Sequence, residues 1–156
     1  MLDWGKIKSR ASELYGDATR KMRQYTPESF SKEKKFVNSL VISLALMTMA
    51  DKKVETEEVV ASMDLINNID EITDLEMNKE AIELYELHLE TLTAVMDSPA
   101  KWAIGVAKLL SEVSAVKPYP EYPPMIENLL EYLATADGEL HPLETAMKDK
   151  ILGAIR

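Results

Sequence analysis

Two pairs of carboxylates with the same spacing are the residues of this chain best suited to chemistry. Asp51 precedes Glu58 by seven positions, and Asp137 precedes Glu144 by seven, at an offset of 86 residues along the chain. Both segments read Ala-Asp-x-x-aliphatic-x-x-x-Glu. Carboxylate oxygens are the ligands that hard cations such as calcium, magnesium and manganese prefer. If the two loops meet, the four side chains would form a divalent-cation site. Such a cation would not be needed for folding, because a chain of this length can bury enough surface without a cofactor.

Each loop also has a purely structural interpretation. For one loop considered alone, we prefer this interpretation to a cation site. His141 can be the N-cap of a helix that has Pro142 in the favoured first position. Glu144 then stands at the third position, where a carboxylate interacts favourably with the free amides of the helix N-terminus. In the first loop, Lys52 and Lys53 weaken the cation hypothesis, because they can neutralise the neighbouring acids.

No arrangement of residues for catalysis accompanies these acids. The 156 residues include no Cys, which excludes disulfides, thiolate metal sites and a cysteine nucleophile. The two histidines, His88 and His141, are far apart in sequence, and His88 is expected at the boundary of the core. No nucleophile elbow and no glycine-rich phosphate loop is present. We therefore expect a protein that is not an enzyme.

Helices are the elements that must position these residues. Apolar side chains recur three and four positions apart, and no segment alternates in the way that a half-buried strand does. The predicted fold is one all-α domain, residues 1–156, with about seven helices. These cover about 3–25, 55–67, 75–96, 124–136 and 142–155, with a second helix from a cap at Ser29 or Ser31 to about 50 and a fifth from a cap at Asp97 or Ser98 to about 116. Residues 67–74 are predicted to be a polar connection, and the two helix–loop–helix units around the carboxylates suggest a bundle with pseudo-two-fold symmetry.

The N-terminal segment differs in charge from the rest of the chain. Residues 1–36 hold nine basic and five acidic side chains, a net charge of +4, whereas residues 37–156 have a net charge of -13. The first helix, in the basic segment 1–28, has an apolar stripe that is expected to pack on the bundle. The alternative is that it lies on an anionic membrane surface or on a membrane partner. The side chains in such a contact would be Trp4, Lys6, Lys8, Arg10, Arg20, Lys21 and Arg23.

The apolar runs of the chain are too short for membrane insertion. The longest, from Leu40 to Ala50, has 11 residues, whereas a transmembrane helix needs about 20. The first residues also lack the apolar centre of a secretory signal. These features predict a soluble, intracellular protein, with peripheral contact at the inner membrane as an alternative. The overall net charge of -9 argues against nucleic-acid binding, which requires basic surface.

The two loop segments resemble those of the tellurite-resistance TerB family. Residues 48–58 and 134–144 carry the likeness to an A-D-G-x-aliphatic-x-x-x-E core, with Lys52 at the position where Gly is usual in the family. The chain length, the basic amphipathic first helix and Lys34-Lys35-Phe36 before the apolar second helix also match the family's layout.

The resemblance implies a cytoplasmic protein of seven helices that is not itself an enzyme. It also implies association with membrane-embedded and calcium-binding partners of one stress-response system, and resistance to tellurite, phages and toxins. The same fold is similar to a domain of membrane-anchored J-domain co-chaperones, so a co-chaperone-like interaction module is the alternative function.

Overall fold

Eight α-helices make up the part of the chain that the structure, a computed structural model, describes: residues 2–15, 25–136 and 141–156. The helices are α1 (Trp4–Tyr15), α2 (Lys32–Met49), α3 (Thr56–Asn67), α4 (Asp70–Asp74), α5 (Asn78–Val95), α6 (Pro99–Val113), α7 (Tyr122–Ala136) and α8 (Pro142–Ile155). Short 3₁₀ helices, Pro27–Ser29 and Ser114–Val116, precede α2 and follow α6. No strand occurs in the three described ranges, so the predicted all-α class is confirmed.

Helix α2 is the centre of the core. Every residue from Phe36 to Met47 is buried, and the helix contacts α3, α5, α6, α7 and α8. A helix that is apolar on most sides is stable only when other elements cover it all round, and this predicts its central position from the sequence. Ser31 begins the helix as an N-cap, because its Oγ accepts a hydrogen bond from the Lys34 N–H at 3.1 Å.

Capping residues followed by proline set the starts of α6 and α8. Ser98 Oγ accepts a hydrogen bond from the Lys101 N–H at 3.4 Å, and His141 Nδ1 accepts one from the Leu143 N–H at 3.1 Å. In both helices a proline follows the cap, at a position whose N–H would have no partner within the helix. Of the two caps predicted for α6, Asp97 and Ser98, the structure has Ser98, and the predicted cap of α8 at His141 is confirmed.

The connection between α3 and α5 differs from its prediction. Residues 67–74 were expected to be a polar linker, but they contain the short helix α4. Ile72 is fully buried and Ile69 packs against the core, while the acids of α4 are exposed. Two apolar residues three positions apart place one helical turn against the bundle. This turn accounts for the eighth helix.

The predicted first helix does not reach its predicted end at Tyr25. Helix α1 is described as far as Tyr15, residues 16–24 lie outside the described residues, and Tyr25 is not helical. Thr26 has φ −129° and ψ 76°, which is also non-helical. The ring of Pro27 explains this conformation, since proline disfavours the helical region for the residue before it.

Two hydroxyl side chains of α2 form hydrogen bonds within the helix. Ser43 Oγ donates to the Ser39 carbonyl at 2.8 Å, and Thr48 Oγ1 donates to the Leu44 carbonyl at 2.8 Å. These bonds allow hydroxyl groups to lie in the apolar interior.

Even α2, however, falls short of a membrane span: none of the described helices combines the length and the apolar character needed to cross a bilayer.

Candidate functional site

Three of the four predicted carboxylates line one cavity. Asp51 follows the C-terminal end of α2, whereas Glu58 and Glu144 lie in the first turns of α3 and α8. This acidic cavity is open to solvent and has a volume of about 390 Å³. The fourth carboxylate, Asp137, lies outside the described residues. The structure therefore brings the described acids of both loops to one place.

Local backbone geometry turns the chain between α2 and α3, next to the acidic cavity. Lys52 has φ 59°, in the left-handed region, and the Lys53 N–H donates to Asp51 Oδ1 at 3.0 Å. An Asp side chain that accepts a hydrogen bond from the backbone N–H two residues later is typical of an Asx turn. Lys52 stands where the resembling family carries Gly, the residue that adopts a positive φ most readily.

The negative charges around the acidic cavity act on one another. The pKa of Glu58 is raised above its ordinary value, first by burial and then by the charges of Asp51, Glu55 and Glu144. A carboxylate whose charged form is disfavoured by like charges is stabilised by a cationic group that comes close. The arrangement is therefore suited to a metal cation or to a positively charged side chain.

The basic residues of the first loop do not line this cavity. Lys52 Nζ lies 4.9 Å from the ring centroid of Trp102 on α6, which is a cation–π distance. Lys53 is exposed. Among the described residues that line the cavity there is no Lys, Arg or His. The ammonium group of Lys52 therefore interacts with α6 and lies outside the lining of the acidic cavity.

A set of metal ligands is not complete among the described residues. In the three ranges, no group of three or more Asp, Glu, His or Cys side chains is arranged to hold a metal ion. Asp137 and Glu139, which belong to the second loop, lie outside those ranges. The described carboxylates thus form an acidic cavity, and the divalent-cation site stays a prediction.

A buried tyrosine of α5 forms a hydrogen bond with a residue that lines the acidic cavity. Thr48 lines the cavity, and its Oγ1 lies 3.3 Å from the hydroxyl oxygen of Tyr85. Burial raises the pKa of Tyr85 to about 12, so its hydroxyl is neutral at pH 7. The hydrogen bond between the two hydroxyls joins α2 to α5 beneath the acids.

The apolar stripe of α1 packs on the bundle. Ile7 and Ala11 are fully buried, and α1 contacts α3 and α5. On the same helix, Arg10 forms ion pairs with Glu13 at 2.8 Å and with Asp64 of α3 at 2.7 Å. The preferred interpretation of the stripe is confirmed for these residues.

The other side chains predicted to contact a membrane or a partner have varied surroundings. Lys6 and Lys8 are exposed, and Trp4 is half-buried against the core. Three basic residues lie outside the described residues: Arg20, Lys21 and Arg23. The described part of this surface therefore presents two lysines to solvent.

A buried polar cluster that the sequence does not reveal joins four segments. His88 Nε2 of α5 lies 2.8 Å from Asn38 Oδ1 of α2, and Asn38 Nδ2 donates to the Tyr25 hydroxyl at 3.0 Å. The Tyr25 hydroxyl in turn donates a short hydrogen bond to the Glu112 carboxylate on α6. These bonds fix the segment before α2 to the body of the bundle.

His88 is more deeply buried than its predicted place at the core boundary. Its side chain is 2% exposed, and burial lowers its pKa to about 3, so the ring is neutral at pH 7. Burial is tolerated because Asn38 supplies a hydrogen-bond partner. The one related sequence signal is the amide of Asn38 within the mostly apolar stretch Phe36–Met47, and it does not identify the partners.

Comparisons with known proteins give no relative of this chain. No family model, no curated protein and no solved structure matches it. The resemblance to the TerB family rests on the two loop segments, residues 48–58 and 134–144, and on the helical layout.

Proposed function

We propose that this chain is a non-enzymatic, TerB-like adaptor of the cytoplasm that binds cationic ligands through its acidic cavity. The observation that supports this most is the position of Asp51, Glu58 and Glu144 around one open cavity, with no basic residue in its described lining. The TerB resemblance of the loops supplies the biological context, which is resistance to tellurite and to related stresses such as phages and toxins.

We infer that the two helix–loop–helix units, α2–α3 and α7–α8, are related by a pseudo-two-fold arrangement. In each unit the motif's glutamate lies in the first turn of the second helix, as Glu58 and Glu144 do. Both side chains line the same cavity. An internal repeat that folds around one cavity would pool the acids of its two halves, which neither half could do alone.

The first proposed ligand is a divalent cation: calcium, magnesium or manganese. Hard cations of this kind take carboxylate oxygens. Asp51, Glu58 and Glu144 offer three such groups, and Asp137 is the predicted fourth. The raised pKa of Glu58 supports the proposal, since it reflects burial and, after burial, repulsion from neighbouring carboxylates that a cation would relieve.

The proposed partners are proteins, in particular a membrane-embedded resistance protein. The exposed Lys6 and Lys8 support an additional peripheral contact with an anionic membrane surface, where each basic residue contributes about 1 kcal/mol at most. Affinity capture from cells that enriches a chaperone, and no membrane protein, would instead favour the co-chaperone-like module.

Isothermal titration calorimetry with calcium, magnesium and manganese tests the cation proposal. We expect the wild-type protein to bind at least one of the three ions. The Asp51→Asn/Glu144→Gln variant should bind that ion at least about tenfold more weakly, because it loses one charged ligand from each loop.

A matched control separates this local effect from a change in net charge. The Glu90→Gln/Asp149→Asn variant makes the same two types of substitution at exposed positions outside the cavity and should bind like the wild type. The cation proposal fails if the wild type binds none of the three ions, or if the cavity variant binds as well as the control.

A further inference from the structure

A second cavity extends the acidic cavity along α3 and α7. It has a volume of about 280 Å³ and shares two lining side chains, Leu65 of α3 and Tyr132 of α7, with the acidic cavity. Leu40 and Leu44 of α2 line one cavity each. The two cavities therefore form one continuous depression with α2 as its floor, which we call the α3–α7 groove.

The α3–α7 groove is apolar along its middle. Tyr132, which lies at the junction of the two cavities, is 55% exposed although most large apolar side chains of the described chain are buried. Phe36, on the floor, stacks on Tyr122 of α7 with ring centroids 4.3 Å apart. An exposed aromatic side chain in a groove is typical of the central anchor of a protein interface.

Both ends of the α3–α7 groove are acidic. Asp51, Glu58 and Glu144 lie at one end, and Asp70 and Glu71 of α4 line the other. No Lys, Arg or His occurs in the described lining of either cavity. A complementary ligand therefore has basic groups at both ends and apolar groups between them.

The length of the groove and the surrounding fold favour a helical ligand. From Glu58 to Asn67, α3 rises about 14 Å, which corresponds to about two and a half helical turns. The described residues contain no strand, so an extended peptide has no sheet edge to which it could add. Recognition must use side chains, as when an amphipathic helix lies in a groove.

We propose that the α3–α7 groove binds an amphipathic helix of a partner protein, with apolar side chains on one face and Lys or Arg at both ends. This inference rests on the proposed function, because it names the class of partner that the acidic cavity receives. The chain's own basic helix α1 is not this occupant, since its Ile7 and Ala11 are buried against the bundle.

A synthetic peptide of about three helical turns tests the proposal with the full-length protein. The probe is Lys-Lys-Leu-Ala-Ala-Leu-Leu-Ala-Ala-Leu-Lys-Lys, acetylated, amidated and fluorescently labelled, and fluorescence anisotropy reports its binding. We expect saturable binding that weakens as salt is raised. A peptide with Glu in place of each Lys, and a peptide with Ala in place of each Leu, should each bind at least about tenfold more weakly.

Protein variants locate the binding surface. Tyr132→Ala should weaken binding of the lysine peptide about tenfold, because it removes the central anchor. Asp51→Asn/Glu144→Gln should weaken it by a similar factor. Ile104→Ala, which truncates a side chain that is 69% exposed on α6, and Glu90→Gln/Asp149→Asn are the matched controls and should bind like the wild type.

Absence of binding by the lysine peptide would overturn the inference, and so would each of three other results. The first is binding of the glutamate peptide as strong as that of the lysine peptide. The second is unchanged binding by Tyr132→Ala. The third is a wild-type dimer in sedimentation that Tyr132→Ala dissociates, because the occupant would then be a second copy of the chain.

The peptide and metal experiments test the two proposals independently. If a divalent cation binds in the acidic cavity and the lysine peptide does not bind, the groove inference is wrong and the cation proposal stands. If the peptide binds as expected and no metal ion does, the groove inference stands and the cation proposal is wrong.

Discussion

At the residue scale, the charge state of the acidic cavity depends on Glu58. Its pKa in the folded chain lies above the ordinary value of 4.5, chiefly through burial and through Asp51. The folded state therefore holds this proton more tightly than the unfolded state does, and the stability of the fold decreases as the pH rises from 4.5 through the raised pKa. At neutral pH the ionised cavity is a site of repulsion that a bound cation would offset.

His88 makes the opposite contribution to pH dependence. Its folded-state pKa of about 3 lies below the ordinary value of 6.5, so between these values the unfolded chain binds a proton that the folded chain does not. The free energy of unfolding should therefore fall as the pH drops below 6.5, by up to about 1.4 kcal/mol per pH unit. Urea unfolding between pH 7 and pH 4 should show a shallower dependence in His88→Gln, whose amide can still bond to Asn38.

A side chain that does not titrate provides the control for that experiment. Ile104→Ala, at a side chain that is 69% exposed, should keep the wild-type pH dependence. Identical pH dependence in His88→Gln and in the wild type would contradict the buried, neutral state of His88.

At the element scale, the short helix α4 depends on one buried side chain. Its five residues are too few to be stable as an isolated helix. Ile72 is fully buried, and it anchors the turn that carries Asp70 and Glu71 to the end of the α3–α7 groove. The position of those acids therefore follows from packing rather than from helix propensity.

Ile72→Ala tests this role of α4. Removing a fully buried isoleucine should lower the free energy of unfolding by about 2–4 kcal/mol, measured by urea denaturation. Ile104→Ala makes the same substitution at a side chain that is 69% exposed, and it should change stability by less than about 0.5 kcal/mol. Equal effects of the two substitutions would mean that α4 does not pack on the bundle.

Local signals explain which elements the sequence predicts correctly. The starts of α2, α6 and α8 follow from the caps Ser31, Ser98 and His141, because a capping side chain acts within one helical turn. In α6 and α8 a proline follows the cap. The central position of α2 follows from its apolar surface. In contrast, α4 has no cap or length that distinguishes it from a loop, and only tertiary contacts reveal it.

The candidate site is also predictable only in part, because tertiary contacts bring its residues together. The repeated spacing identifies Asp51, Glu58 and Glu144, but their approach depends on how α3 and α8 pack around α2. The cluster of Tyr25, Asn38, His88 and Glu112 has no spacing rule, since its members come from four separate segments. The α3–α7 groove likewise exists only between packed helices.

At the scale of the whole molecule, opposite charges are separated along the chain. Residues 1–36 carry a net charge of +4 and residues 37–156 carry -13. Arg10 of α1 pairs with Asp64 of α3, which ties the basic segment to the acidic body, while Lys6 and Lys8 stay exposed. The acidic cavity is formed by both halves of the internal repeat, so the proposed function is a property of the assembled bundle.

The pKa of Glu58 tests most directly whether the two halves form one site. Carboxyl carbon NMR titration should show a lower pKa for Glu58 in Asp51→Asn and, by a smaller amount, in Glu144→Gln, because each substitution removes a nearby negative charge. The exposed controls Asp149→Asn and Glu90→Gln should leave it unchanged. A pKa of Glu58 that does not respond to Glu144→Gln would contradict the account, since the two loops would then not meet.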